Sequence, residues 1–129
     1  MSLSLQSAPF SPPRVVIVDA DRRVQQSLSD LLGVSGEVEV VGRAGDVRAA
    51  LQEVERLLPD VVLVDPRLPD VEAGEALIGG MARAWPAMRI VLTGWSGPEG
   101  HNGSSGRYVS KGSSPEAFVT AIVDACCTA

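Results

Sequence analysis

Cysteine is nearly absent from this chain. Its 129 residues contain two, Cys126 and Cys127, adjacent near the end. Two neighbouring thiols build neither a disulfide framework nor a metal site, so a stapled fold is excluded and a reducing compartment is expected. Histidine is rarer still. The single one, His101, has no Cys, Asp or Ser partner at a readable spacing and is given no role. Positive charge is also short: eleven Lys and Arg face sixteen Asp and Glu, for a net charge of -5. That balance opposes attraction to a polyanion and leaves no basic stripe, which excludes direct nucleic-acid binding by this domain. No apolar run approaches a membrane span. Residues 1–13 lack the basic start and apolar core of a signal peptide. No membrane partner and a cytoplasmic location are therefore expected.

What the chain does have is a core. Apolar residues make up 45% of it, enough at this length for one domain without a staple. Residues 1–13, rich in Ser and Pro, have turn chemistry and no period, and are read as a flexible tail before a domain spanning 14–127. Val15, Val16, Ile17 and Val18 form a β-branched run ending in Asp19, the pattern of a strand buried on both faces. Val24, Leu28, Leu31 and Leu32 then recur at helical spacing, with Gly33 and Gly36 placed to end the helix. Residues 37–41 alternate as a second strand before Gly42. Val47, Ala50, Leu51, Val54, Leu57 and Leu58 give a second amphipathic stripe, closed by Pro59.

Two more apolar strands follow, residues 61–64 ending in Asp65 and residues 90–92 ending in Thr93. Between them Ala76, Leu77, Met81, Ala84 and Trp85 mark a helix whose middle Gly79 and Gly80 are expected to weaken or bend, each costing about 1 kcal/mol against Ala. The last unit runs from Tyr108 to Lys111 and then, after Ser114-Pro115-Glu116, into a helix with Phe118, Ile122 and Val123 on one face. Strands alternating with helices at this interval predict an α/β fold, a doubly wound parallel sheet with right-handed crossovers. Such folds hold their chemistry beyond the carboxyl ends of the strands. Asp19, Asp65, Thr93 and Lys111 all fall there.

With those residues in place, the sequence resembles the receiver domain of two-component response regulators, over residues 14–126. The resemblance rests on Val18-Asp19, Asp65-Pro66-Arg67-Leu68-Pro69, Glu72-Ala73-Gly74-Glu75, Thr93-Gly94 and Tyr108-Val109-Ser110-Lys111. It implies a five-stranded flavodoxin-like fold. It also implies that Asp65 is a phosphoacceptor attacking a phosphohistidine, served by a histidine kinase or phosphotransfer protein. A carboxylate attacks an anionic phosphoryl group poorly unless positive charge neutralises the approach. Lys111 resembles the fixed cation and Mg²⁺ would be the movable one, held by Asp19, Asp65 and the backbone carbonyl of Arg67. Thr93 would hydrogen-bond a phosphoryl oxygen, Tyr108 would switch rotamer with it, and Gly94, with Pro66 and Pro69 in the loop after Asp65, would leave access. Another receiver or an output domain is the implied partner downstream. Trp95, two residues past Thr93, is expected near the pocket.

The chain departs from that pattern in three places. The family's two adjacent acids after the first strand read Asp19-Ala20 here, so a direct Mg²⁺ ligand is missing and Mg²⁺ is expected to bind weakly or not at all. Asp21 either compensates as a ligand or caps the helix behind it. Glu72-Ala73 replaces the usual Asp-Gly, putting a Cβ where the backbone often takes positive φ. The segment between Thr93 and Lys111 is about one helical turn short. It carries Gly94, Gly97, Gly100, Gly103 and Gly106 with no apolar stripe, so the fourth helix of the fold is expected to be short or missing. The expectation is an atypical receiver acting as a pseudo-receiver through protein contacts, with a working phosphoaspartate receiver as the alternative. Asp19-Ala20-Asp21 also resembles the opening of haloacid-dehalogenase-like phosphohydrolases, the one enzyme reading, but that leaves Asp65 to Pro69 unexplained.

Overall fold

The computed structural model describes residues 11–95 and 107–127. In chain order these form β1 (Arg14–Val18), α1 (Arg22–Ser35), β2 (Glu39–Ala44), α2 (Val47–Leu57), β3 (Val61–Val64), α3 (Val71–Ala84), β4 (Arg89–Gly94), β5 (Arg107–Ser110) and α4 (Pro115–Cys127). The strands make one five-stranded sheet in the order β2-β1-β3-β4-β5, with every pairing parallel. This is the doubly wound sheet expected. Strand order reverses at β1, so the carboxyl ends of β1 and β3 flank the crevice where such folds bind their ligands.

Successive side chains on a strand point to opposite faces, and the core divides accordingly. Val15, Ile17, Val61, Leu63, Val91 and Val109 meet α1 and α4 through Leu28, Leu32, Phe118 and Ile122. Val16, Val18, Val62, Val64 and Leu92 meet α2 and α3 through Ala50, Val54, Leu77 and Met81. Both faces are covered, which is why the central strands read as unbroken apolar runs.

Helix starts follow the sequence closely. Asp21, Asp46 and Asp70 sit at N-caps, accepting backbone N–H groups from Arg23, Ala49 and Ala73 respectively. The Ser114 hydroxyl accepts the Ala117 N–H at 3.2 Å at the start of α4. Gly36 ends α1 at φ 71°. Leu58 ends α2 at φ 46°, a left-handed conformation unusual for a side chain of this size. The Arg14 guanidinium supports that turn by donating to the carbonyls of Leu57 (2.8 Å) and Leu58 (3.1 Å).

Two expectations need correcting. The second strand does not stop before Gly42 but runs through it to Ala44, with Val41 bulged between the pairs Val15–Val40 and Val16–Gly42. Gly42 is tolerated because α2 closes over it: a Cβ there would lie 2.7 Å from both Glu53 Oε1 and Leu57 Cδ1. The third helix, whose middle was expected to be weak or bent, runs without a break from Val71 to Ala84 through Gly79 and Gly80, with Leu77 and Met81 buried on its inner face. Ala73 lies within that helix and not at positive φ, because Asp70 starts the helix three residues earlier. Among the described residues there are four helices. Most of the segment expected to lack the fourth family helix, residues 96–106 with His101, lies outside the described residues, as do residues 1–10 of the tail.

Candidate functional site

Three charged side chains converge at the strand ends. Asp19 follows β1, Asp65 follows β3 and Lys111 follows β5; the two aspartates are 2% and 7% exposed. The Lys111 ammonium lies 2.5 Å from Asp19 Oδ2 and 2.6 Å from Asp65 Oδ2. It is the only lysine in the chain. The contact to Asp65 is a hydrogen bond. Asp19 Oδ2 meets the ammonium as a close ion pair and has no other partner among the described residues. The outer carboxylate oxygens are held by the backbone, Asp19 Oδ1 by the Asp21 N–H at 2.8 Å and Asp65 Oδ1 by the Arg67 N–H at 3.1 Å.

Two carboxylates around one ammonium leave a net charge of −1. Burial works against the charged form of Lys111, but hydrogen bonds and charge from Asp19 and then Asp65 outweigh it and raise its pKa above the ordinary 10.5. A folded-state pKa above the unfolded one means the stabilisation is complete below pH 10.5 and is lost as pH climbs through the folded value. Wild type and Lys111→Met should therefore differ in Tm by a constant amount from pH 7 to 9 and converge only above about pH 10.5. Convergence already at pH 8 would contradict the double ion pair.

Thr93, the penultimate residue of β4, has its hydroxyl buried and without a hydrogen-bond partner among the described residues. The Gly94 carbonyl accepts two bonds at 2.9 Å, from the Tyr108 hydroxyl and from the Lys111 backbone N–H. Tyr108 is thus tied to the strand that carries Thr93, and the lysine is anchored at its own backbone. Trp95, expected near the pocket, is 67% exposed with its ring centroid 5.6 Å from the ammonium, within cation–π range. It can report on this site.

The remaining expected residues frame the site. Pro66 is buried behind Asp65, while Arg67, Pro69, Ala20 and Asp21 are exposed around it. The Asp21 carboxylate is engaged with the Arg23 N–H at 2.8 Å, as a cap. Among the described residues the carboxylates that meet at Lys111 are those of Asp19 and Asp65. Among the described residues no three acidic, His or Cys side chains cluster as a metal site.

Sequence reasoning gave no supporting role to Gln25 and none to Gly74, which it quoted only as part of a motif. Gln25 is buried beneath Asp19; its signal is a polar residue on the buried stripe Gln25, Leu28, Leu32 of α1. Gly74 is pressed against the loop after Asp65: a Cβ there would lie 1.5 Å from the Pro66 carbonyl oxygen. A glycine in the first turns of a helix, where it costs stability, was the available sign.

A buried acid pair, a lysine and a hydroxyl at the ends of β1, β3, β5 and β4 define a receiver-type site. The family model for the response regulator receiver domain matches residues 15–122, and the chain belongs to that family. The DNA-binding transcriptional activator DevR/DosR of Mycobacterium tuberculosis is 38% identical over 87 residues, covering 67% of this chain and 40% of that protein. A protein-glutamate methylesterase/protein-glutamine glutaminase of Nocardioides sp. is 41% identical over 64 residues, 50% of this chain and 18% of that protein. The chain thus spans less than half the length of these relatives. Among solved structures, the signal receiver domain of NarL from Mycobacterium tuberculosis superposes with a TM-score of 0.75 at 28% identity, covering 92% of this chain and 99% of that one. A CheY-like receiver domain protein from Methanospirillum hungatei gives 0.73 at 25% identity, covering 88% and 93%.

Receiver domains generally bind Mg²⁺ at the phosphorylation site and interact with histidine kinases or phosphotransfer proteins. They are generally not enzymes themselves, although some relatives join one to a methylesterase. The match takes in Asp19-Ala20-Asp21 as part of the receiver pattern, which removes the reason for a phosphohydrolase reading.

Proposed function

We propose that residues 14–127 form a pseudo-receiver: Asp65 occupies the phosphoacceptor position, but the divalent-ion site beside it is impaired and the domain signals by protein contact. The observation that carries this reading is the Lys111 ammonium, 2.5 and 2.6 Å from the two carboxylates that would otherwise hold Mg²⁺. The third acid is replaced by Ala20, which has no donor atom. Mg²⁺ is a hard ion that demands near-ideal octahedral oxygen ligation and dehydrates reluctantly. Two carboxylates already sharing one ammonium do not fit it well. The internal cation instead offsets half the charge of the pair and ties the ends of β1, β3 and β5 together.

The partners this reading implies are a histidine kinase or phosphotransfer protein on one side, and a second receiver or an output domain on the other. A single observation favours the alternative of a working phosphoacceptor. The Thr93 hydroxyl, buried and unpartnered among the described residues, is a donor that an incoming phosphoryl oxygen would satisfy, since a buried unpaired hydroxyl is otherwise costly.

The two readings separate by Trp fluorescence during titration with Mg²⁺ and then beryllofluoride, a mimic of aspartyl phosphate. The pseudo-receiver is expected to show no saturable change at high Mg²⁺ while circular dichroism reports a folded protein. A saturable change that Asp65→Asn abolishes would overturn it in favour of the phosphoacceptor.

A further inference from the structure

Gln25 lies on α1, only 8% exposed, and its side chain spans the ends of two strands. Its amide donates to the Asp19 carbonyl at 2.7 Å and to the Ala44 carbonyl at 3.3 Å. Ala44 at the end of β2 in turn accepts the Asp19 N–H at 3.0 Å, and the Gln25 backbone N–H donates to the Asp21 carbonyl at 3.0 Å. Both peptide groups of Asp19 are therefore tied, and Gln25 clasps the turn 19–21 at each end. Gly45 completes the fit, since a Cβ there would sit 3.3 Å from the amide nitrogen. A buried glutamine with both amide hydrogens committed to main-chain carbonyls has one defined pose, and deleting it leaves the Asp19 carbonyl without this donor in a buried setting.

We infer that Gln25 is a positioning residue: by clasping the Asp19 turn it aims the Asp19 carboxylate at Lys111 and so holds the ammonium between the two aspartates. The inference concerns the resting geometry and stands whether or not Asp65 accepts a phosphoryl group. Apolar packing alone would be served as well by Met, which matches Gln in length and lacks the donors.

Because Lys111 is the only lysine, its rate of acylation by an amine-directed reagent, followed by peptide mass spectrometry under native conditions, reports how firmly the two carboxylates hold it. Gln25→Met is expected to raise that rate roughly tenfold, the order that losing its two buried hydrogen bonds implies. Val54→Ala, a cavity in the opposite half of the core, should lower Tm by as much or more and leave the rate near wild type. In an Asp19→Asn background the Gln25→Met increment should vanish, because the group through which Gln25 acts is already altered. Should Gln25→Met not fold, Gln25→Asn, whose amide is withdrawn by one methylene, is expected to give the same rise. A lower Tm with an unchanged Lys111 rate, or an increment that persists in full without the Asp19 charge, would overturn the inference.

Discussion

Ala20→Asp is expected to convert the site into one that binds Mg²⁺, raising its affinity at least about tenfold over wild type. Ala20 is exposed beside Asp19, whose Oδ1 is already fixed by the Asp21 N–H, so a carboxylate at position 20 enters a turn with defined geometry. It moves the local charge from −1 to −2 around the single ammonium. Without a metal the added like charge should lower Tm. With Mg²⁺ the same charge favours a dication, and binding to the folded state alone then stabilises it. The expected result is a Tm that rises with Mg²⁺ in the variant and is flat in wild type, checked by differential scanning fluorimetry with calcium as a second ion. Equal Mg²⁺ dependence in both proteins would mean that Ala20 is not what limits the site.

Gly74→Ala and Gly80→Ala, six residues apart on α3, are expected to act in opposite directions. At Gly74 the new methyl group would lie 1.5 Å from the Pro66 carbonyl oxygen and 2.3 Å from its carbon. The clash is with backbone, so no side-chain rotation relieves it and either the helix or the loop after Asp65 must shift. Overpacking of this kind costs about 3 kcal/mol or more, and roughly 10 °C in Tm for a domain of this size. At Gly80 nothing lies within 4 Å of the added atom, and the gain in helix propensity should stabilise by about 0.5–1 kcal/mol. Chemical denaturation of both variants tests the pair. Because Pro66 adjoins Asp65, Gly74→Ala should also speed acylation of Lys111, and Gly80→Ala should not. A neutral Gly74→Ala would mean that α3 does not bear on the acidic loop as the structure has it.

These sites differ in how far the sequence disclosed them. The strands were legible because burial on both faces demands continuous β-branched runs, and Asp19, Asp65 and Thr93 could be read at their ends with no partner in view. Two helix starts were legible for the same local reason: Asp21 and Ser114 each satisfy a backbone donor within three residues of themselves, while Asp46 and Asp70 were seen as caps only in the structure. The extent of β2 was not legible. Gly42 looks like a terminus until Glu53 and Leu57 of the next helix are seen to lie against it. Gly79 and Gly80 do not interrupt α3; propensity is local, whereas the burial of Leu77 and Met81 is not.

By itself the sequence determined the element order, the two-sided burial of the central strands and the position of Asp65 at a carboxyl end, all consequences of patterns within a few residues. Only the tertiary structure decided what surrounds Asp65. Lys111 reaches it across 46 positions of chain and takes Asp19 in the same grip, Gln25 clasps the turn beneath, and Gly74 lets a helix rest on Pro66. Such contacts depend on strand order and on the height at which each helix packs, and no local period encodes either.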